Sequence, residues 1–156
     1  MPTSKADILF VCANAAHRVY QALSTTNAAI EPPIWGGMLT MHCLKQGYNA
    51  DIIDCEALGL SDEESVKAIT EINAKVTCFV VYGQQPSASS QNMEGAISLA
   101  ELVRQHLPET KILFVGGHVA ALPRDVMEHH SFIDFVCQNE GVYTISNLLK
   151  TNLKDK

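Results

Sequence analysis

The 156 residues suffice for one domain with its own core and fall short of two. Hydrophobic residues make up 47% of the chain and charged ones 18%, an ordinary globular composition. A net charge of −6 without a block of Lys or Arg argues against a nucleic-acid or anionic-membrane partner, and no apolar run is long enough to span a bilayer.

The N-terminus, Met1 to Asp7, lacks the charged-then-apolar plan of a signal peptide. The five cysteines, Cys12, Cys43, Cys55, Cys78 and Cys137, are odd in number and show no C-x-x-C spacing. That pattern argues against a disulfide framework, a zinc site or an iron–sulfur cluster, and a reducing cytoplasm is the expected compartment. No catalytic residue stands out.

In chain order, Asp7–Cys12 reads as the first strand. About twenty residues, Ala13 to Ile34, follow before the first helix, Trp35–Gln46, which stops at Gly47. Connections in α/β folds are normally a handful of residues, so this loop is expected to be functional, mobile when free and ordered by a ligand. Ala50–Asp54 is the second strand. Ser61-Asp-Glu-Glu64 is a capping box that opens the second helix, with Val66, Ile69 and Ile72 at helical spacing. Val76–Val81 is the third strand, and a helix from Gln91 to His106 ends before Pro108. Lys111–Val115 is the fourth strand. A fourth helix starts near Pro123, Ile133–Cys137 is the fifth strand, and a fifth helix starts near Gly141. Strands alternating with helices predict a Rossmann-like (flavodoxin-like) α/β fold. Its doubly wound five-stranded parallel sheet has the order 2-1-3-4-5, with helices on both faces. The whole chain, 1–156, is expected to be one domain.

In open α/β sheets, ligands sit beyond the carboxyl ends of the strands. Four loops meet there. The first begins Cys12-Ala13-Asn14 and the second holds Tyr82, Gly83, Gln84, Gln85 and Ser87. The third is Gly116, Gly117, His118, Val119 and Ala120, and the fourth contains Asn139, Glu140 and Gly141. They are rich in small residues and amides and nearly free of cations. Neither phosphate-loop pattern, G-x-x-x-x-G-K-[ST] or G-x-G-x-x-G, occurs. The glycine pair at 116 and 117 leaves backbone bare for close approach. This edge suits a large, mostly neutral ligand held by backbone and amide hydrogen bonds.

The ordered set Pro32-Pro-Ile-Trp-Gly36, Lys45-Gln-Gly-Tyr48, Ile52-Ile-Asp54, Val81-Tyr82, Gly116-Gly-His118, Leu122-Pro123, Ile133-Asp-Phe-Val136 and Glu140-Gly141 resembles the N-terminal cobalamin-binding domain of cobalamin-dependent radical S-adenosylmethionine (SAM) enzymes. The resemblance runs from about Asp7 to Leu149. It implies cobalamin at the carboxyl edge, with the nucleotide tail beside Gly116-Gly117 and the corrin over the loops after strands one and three. It also implies a methyl-transfer system in which cobalt supplies the chemistry and the protein binds and orients. The D-x-H-x-x-G motif, whose His ligates cobalt in mutases, is absent, so base-off cobalamin without a protein imidazole is expected; His17 is the alternative cobalt ligand. The C-x-x-x-C-x-x-C motif of the catalytic half is also absent. S-adenosylmethionine and a 4Fe-4S cluster are therefore expected only in a partner domain or chain.

Two other readings compete. A receiver-like or flavodoxin-like regulatory domain needs acids or a phosphate loop after strand one, and here that strand ends in Val-Cys. An interaction module without a ligand is the third possibility.

Overall fold

The computed structural model describes residues 6–20, 22, 30–83, 86–151 and 153, with the side chains of His17, Tyr20 and Pro86 left out. Five parallel strands form one sheet: β1 (Ile8–Cys12), β2 (Ala50–Asp54), β3 (Val76–Val81), β4 (Lys111–Gly116) and β5 (Phe135–Val136). Their order is β2-β1-β3-β4-β5, as the alternating pattern predicts. Among the described residues seven helices connect them. These are α1 (Ala16–Tyr20), α2 (Ile34–Lys45), α3 (Asp62–Ile72), α4 (Pro86–His106), α5 (Gly117–Ala121), α6 (Pro123–His129) and α7 (Val142–Lys150). None of them is long and apolar enough to cross a membrane.

The inner strands β1, β3 and β4 are mostly apolar because both sheet faces are covered, whereas the edge strand β2 carries the exposed Asp51. Alternate residues of β1 enter different cores. Ile8 and Phe10 pack under α2 and α7 with Leu39, Cys43 and Ile145. Leu9 and Val11 pack under α3 and α4 with Val66, Ile69, Leu99 and Val103. Phe79 and Phe114, neighbours on β3 and β4, stack with ring centroids 5.0 Å apart in the second core.

The capping box forms as written. The Ser61 hydroxyl accepts from the Glu64 N–H at 3.3 Å, and Glu64 Oε2 accepts from the Ser61 N–H at 2.9 Å. Asn73 closes α3 in the left-handed conformation, φ 50°.

Three differences from the sequence reading have physical causes. The helix expected from Gln91 begins at Pro86, because proline suits the first turn of a helix and the following small residues do not prevent it. The strand expected over Ile133–Cys137 pairs only at Phe135–Val136. Single hydrogen bonds continue on either side, from Asp134 N–H to the Ile112 carbonyl and from Cys137 N–H to the Phe114 carbonyl. The long loop after β1 contains α1, while residues 21 and 23–29 lie outside the described residues.

At the amino edge of the sheet, Asp134 ties β4, β5 and α4 together. Its carboxylate accepts from the Ile112 N–H at 2.9 Å and pairs with Arg104 and Lys111. Burial pushes this carboxyl up, but the Ile112 N–H and the two cations together hold it below the usual range.

Candidate functional site

In the order β2-β1-β3-β4-β5 the chain leaves β1 toward β2 on one side and returns to β3 on the other. The connections therefore diverge above β1 and β3, and a crevice opens at their carboxyl ends. A cleft of about 190 Å³ lies there. Its floor is Cys12 and Ala13 at the end of β1, with Val80, Val81, Tyr82 and Gly83 at the end of β3. One wall is the start of α2, Pro33 to Gly36; the other is α4, through Ala88, Gln91 and Asn92. Glu31, Asp54 and Glu56 complete the rim, and no Lys, Arg or His lines it among the described residues.

Glycines shape the walls. A Cβ on Gly36 would meet Ile52 Cδ1 at 2.8 Å and Cys12 Sγ at 3.4 Å, so α2 lies directly on the sheet. A Cβ on Gly83 would meet Ala88 Cβ at 2.3 Å, which brings the end of β3 against α4.

The rim is acidic, and the thiol beneath it is protonated. Burial, followed by the nearby Asp54 carboxylate, pushes the Cys12 thiol up to about 12, so it stays a thiol and offers neither nucleophile nor thiolate ligand. Burial and then Asp54 and Glu31 also raise the Glu56 carboxyl. Such a rim accepts N–H donors.

Of the residues singled out from the sequence, Cys12, Ala13, Tyr82 and Gly83 line the cleft. Asn14 is engaged in the fold: its Nδ2 donates to the Leu60 carbonyl at 3.2 Å, and its Oδ1 accepts from the Ala16 N–H at 3.1 Å. Gln84 and Gln85 lie outside the described residues, as does the side chain of His17, whose backbone belongs to α1. Ser87 is exposed on the first turn of α4.

Gly116 to Ala120 form a separate neighbourhood beside α4. Gly117 opens α5, and Ser89 Oγ accepts the His118 N–H at 2.9 Å while donating to the Val81 carbonyl. The His118 ring pairs through Nδ1 with Ser90 Oγ at 2.9 Å. Val119 is fully buried in the core, and Ala120 is half-buried. The bare backbone at Gly116 is already occupied: a Cβ there would lie 2.0 Å from the Val81 carbonyl oxygen. Gly117 is roomier, with Ser89 Cβ and Oγ at 3.6 Å.

Asn139 and Glu140 are exposed above β5, and Gly141 is buried at φ +82° against Val115. The Tyr82 hydroxyl donates to the Asn139 carbonyl at 3.5 Å, so this side chain bridges from the end of β3 to the loop after β5. Burial and then Glu140 push its phenol up to about 12.

Sequence reasoning missed Trp35, Asp54, Glu56, Gln91 and Asn92 as cleft residues and Ser89 as the link between α4, β3 and α5. The strand order was a usable signal for the first group. A switch point between β1 and β3 puts the residue after β2 and the first turn of α2 at the crevice. Ser89 carried no comparable signal.

The cleft suits part of a cobalamin and not all of it. Pockets that enclose a small molecule measure about 300–1,000 Å³, so a cleft of 190 Å³ is too small to enclose a whole corrinoid. The amides, carboxylates and backbone of the rim match a ligand fringed with carboxamide N–H donors.

No curated protein sequence gives a significant match. Among solved structures, the chain is similar to the cobalamin-dependent S-adenosylmethionine radical enzyme OxsB, solved with aqua-cobalamin and S-adenosylmethionine bound. The TM-score is 0.70 at 16% identity, over 97% of this chain and 19% of that one. It is also similar to TsrM from Kitasatospora setae, a radical S-adenosylmethionine methyltransferase solved with its tryptophan substrate and a SAM analog, aza-SAM. Here the TM-score is 0.70 at 11% identity, over 96% of this chain and 26% of that one. The chain thus spans between a fifth and about a quarter of the length of these enzymes, and the likeness extends to the fold. Residues 20–149 match the B12 binding domain family, so the chain belongs to that family.

Proposed function

We propose that this chain is the cobalamin-holding domain of a cobalamin-dependent radical SAM system that transfers methyl groups, and that the iron–sulfur half lies in a further domain or a separate chain. The observation that carries the reading is a cleft with no cation among its described residues, at the β1/β3 switch point of a B12 binding domain fold. The nucleotide arm enters this cleft between Cys12-Ala13 and Tyr82-Gly83, not beside Gly116-Gly117 as the sequence resemblance implies. The corrin lies over the carboxyl edge, within reach of Gly117, His118, Asn139 and Glu140. Cobalt supplies the methyl-transfer chemistry when the cofactor is bound. The protein's own part is to orient the corrin and keep the buried arm from water. The absent D-x-H-x-x-G supports a base-off cofactor with no imidazole from the protein.

The test is reconstitution. After incubation with hydroxocobalamin and gel filtration, the protein peak should carry red colour at about one equivalent. A colourless peak would refute the reading, and retention of flavin mononucleotide instead would favour the flavodoxin-like alternative.

A further inference from the structure

We propose that Trp35 and Tyr82 form an aromatic clamp at the mouth of the cleft. Trp35 is its moving jaw, and a planar heteroaromatic ring on the buried arm of the ligand is what it grips. The inference rests on the reading that the cleft takes the nucleotide arm of a corrinoid, and it adds the residue that recognises the base.

Trp35, the only tryptophan, and Tyr82 both line the cleft, from α2 and from the end of β3. Their rings are stacked, with centroids 4.6 Å apart and planes 24° from parallel. The two jaws are held very differently. Tyr82 is fixed at both ends: its carbonyl accepts from Asn92 Nδ2 at 3.3 Å, and its hydroxyl donates to the Asn139 carbonyl at 3.5 Å. Its ring packs against the core under α2 and α7. Trp35 is 39% exposed on the first turn of α2, and open space surrounds the position a Cβ would take on Gly37. A large aromatic surface left partly in water beside a cleft has a π face to offer a third ring.

Insertion of a ring between the two needs about two stacking distances of about 3.5 Å, a centroid separation of about 7 Å. Against the present 4.6 Å this is an outward shift of about 2.4 Å, within reach of a side-chain rotation at the exposed partner. The acidic rim beside the clamp accepts N–H donors, and the clamp supplies the apolar contact that the rim lacks.

The experiment compares hydroxocobalamin with dicyanocobinamide, a corrinoid without the nucleotide and its base. It uses the unaltered protein and the variants Trp35→Phe and Trp35→Leu. Stacking of a base on an aromatic side chain is worth about a five- to hundredfold change in affinity. Trp35→Leu, which keeps apolar bulk but no π face, should weaken hydroxocobalamin by about that factor and cobinamide by less than about twofold. Trp35→Phe should restore most of the loss. Thermal unfolding without ligand should shift by no more than about 2 °C for both variants, as for an exposed site. Equal weakening of both corrinoids, or of neither, overturns the clamp while leaving cobalamin binding intact. Failure of the unaltered protein to bind hydroxocobalamin overturns the functional reading, and the clamp with it.

Discussion

Gly116 and Gly117 stand side by side at the end of β4, yet the structure gives them different duties, and alanine substitution separates them. Gly116 is the register partner of Val81 on the central strand β3. A Cβ at 116 would sit 2.0 Å from the Val81 carbonyl oxygen and 2.6 Å from its carbon, where non-bonded atoms need about 3.5 Å. The obstacle is backbone in the middle of a sheet, so it cannot rotate away. Gly116→Ala should therefore cost at least the upper end of the overpacking range, about 3 kcal/mol. At about 2–4 °C per kcal/mol for a chain of this size, the melting temperature should fall by about 6–12 °C. Gly117→Ala should do almost nothing, because its Cβ would meet Ser89 at an ordinary 3.6 Å and alanine favours the α5 helix it opens. Thermal unfolding by circular dichroism checks both. A Gly116→Ala protein as stable as the original, or an equal loss at 117, would refute this division of roles.

Other expectations follow from the same geometry. Gly117→Val adds branches beside Ser89 at the ligand edge and should weaken hydroxocobalamin about ten- to a hundredfold with near-normal thermal stability; unchanged affinity in a titration would mean the ligand does not pass there. Asp134 and Asp7 have folded pKa values below their unfolded ones, Asp7 chiefly through its hydrogen bond from Lys75. Their stabilisation is present above the ordinary aspartate pKa of about 4 and lost as pH falls below it. Urea midpoints measured between pH 6 and 3 should therefore fall, and Asp134→Asn should flatten part of that fall. The thiol of Cys12, pushed up to about 12, should react with iodoacetamide at pH 8 far more slowly than a free thiol, and more slowly still with hydroxocobalamin present; rapid labelling followed by mass spectrometry would contradict the burial argument.

The strand order was legible because the two-sided burial of a parallel sheet writes itself as unbroken apolar runs such as Ile8-Leu-Phe-Val11 and Ile112-Leu-Phe-Val115. The capping box at Ser61 was legible because its chemistry is local. The short helices were not. α1 and α5 are five residues each, too short for periodicity to register, and α5 begins with a glycine that reads as a turn. At the cleft, Cys12, Ala13, Tyr82 and Gly83 were legible because they end or directly follow strands. Trp35, Asp54 and Glu56 reach the same cleft only through topology. At Gly116 a bare backbone in a sequence does not say what approaches it, and on the Cβ side that is the carbonyl of the neighbouring strand.

The central claim is a base-off cobalamin held without a protein imidazole, and electron paramagnetic resonance of the bound cob(II)alamin form addresses it most directly. The account predicts cobalt hyperfine lines without nitrogen superhyperfine splitting. Splitting from an axial nitrogen, whether from a histidine such as His17 or from the cofactor's own base, would contradict it.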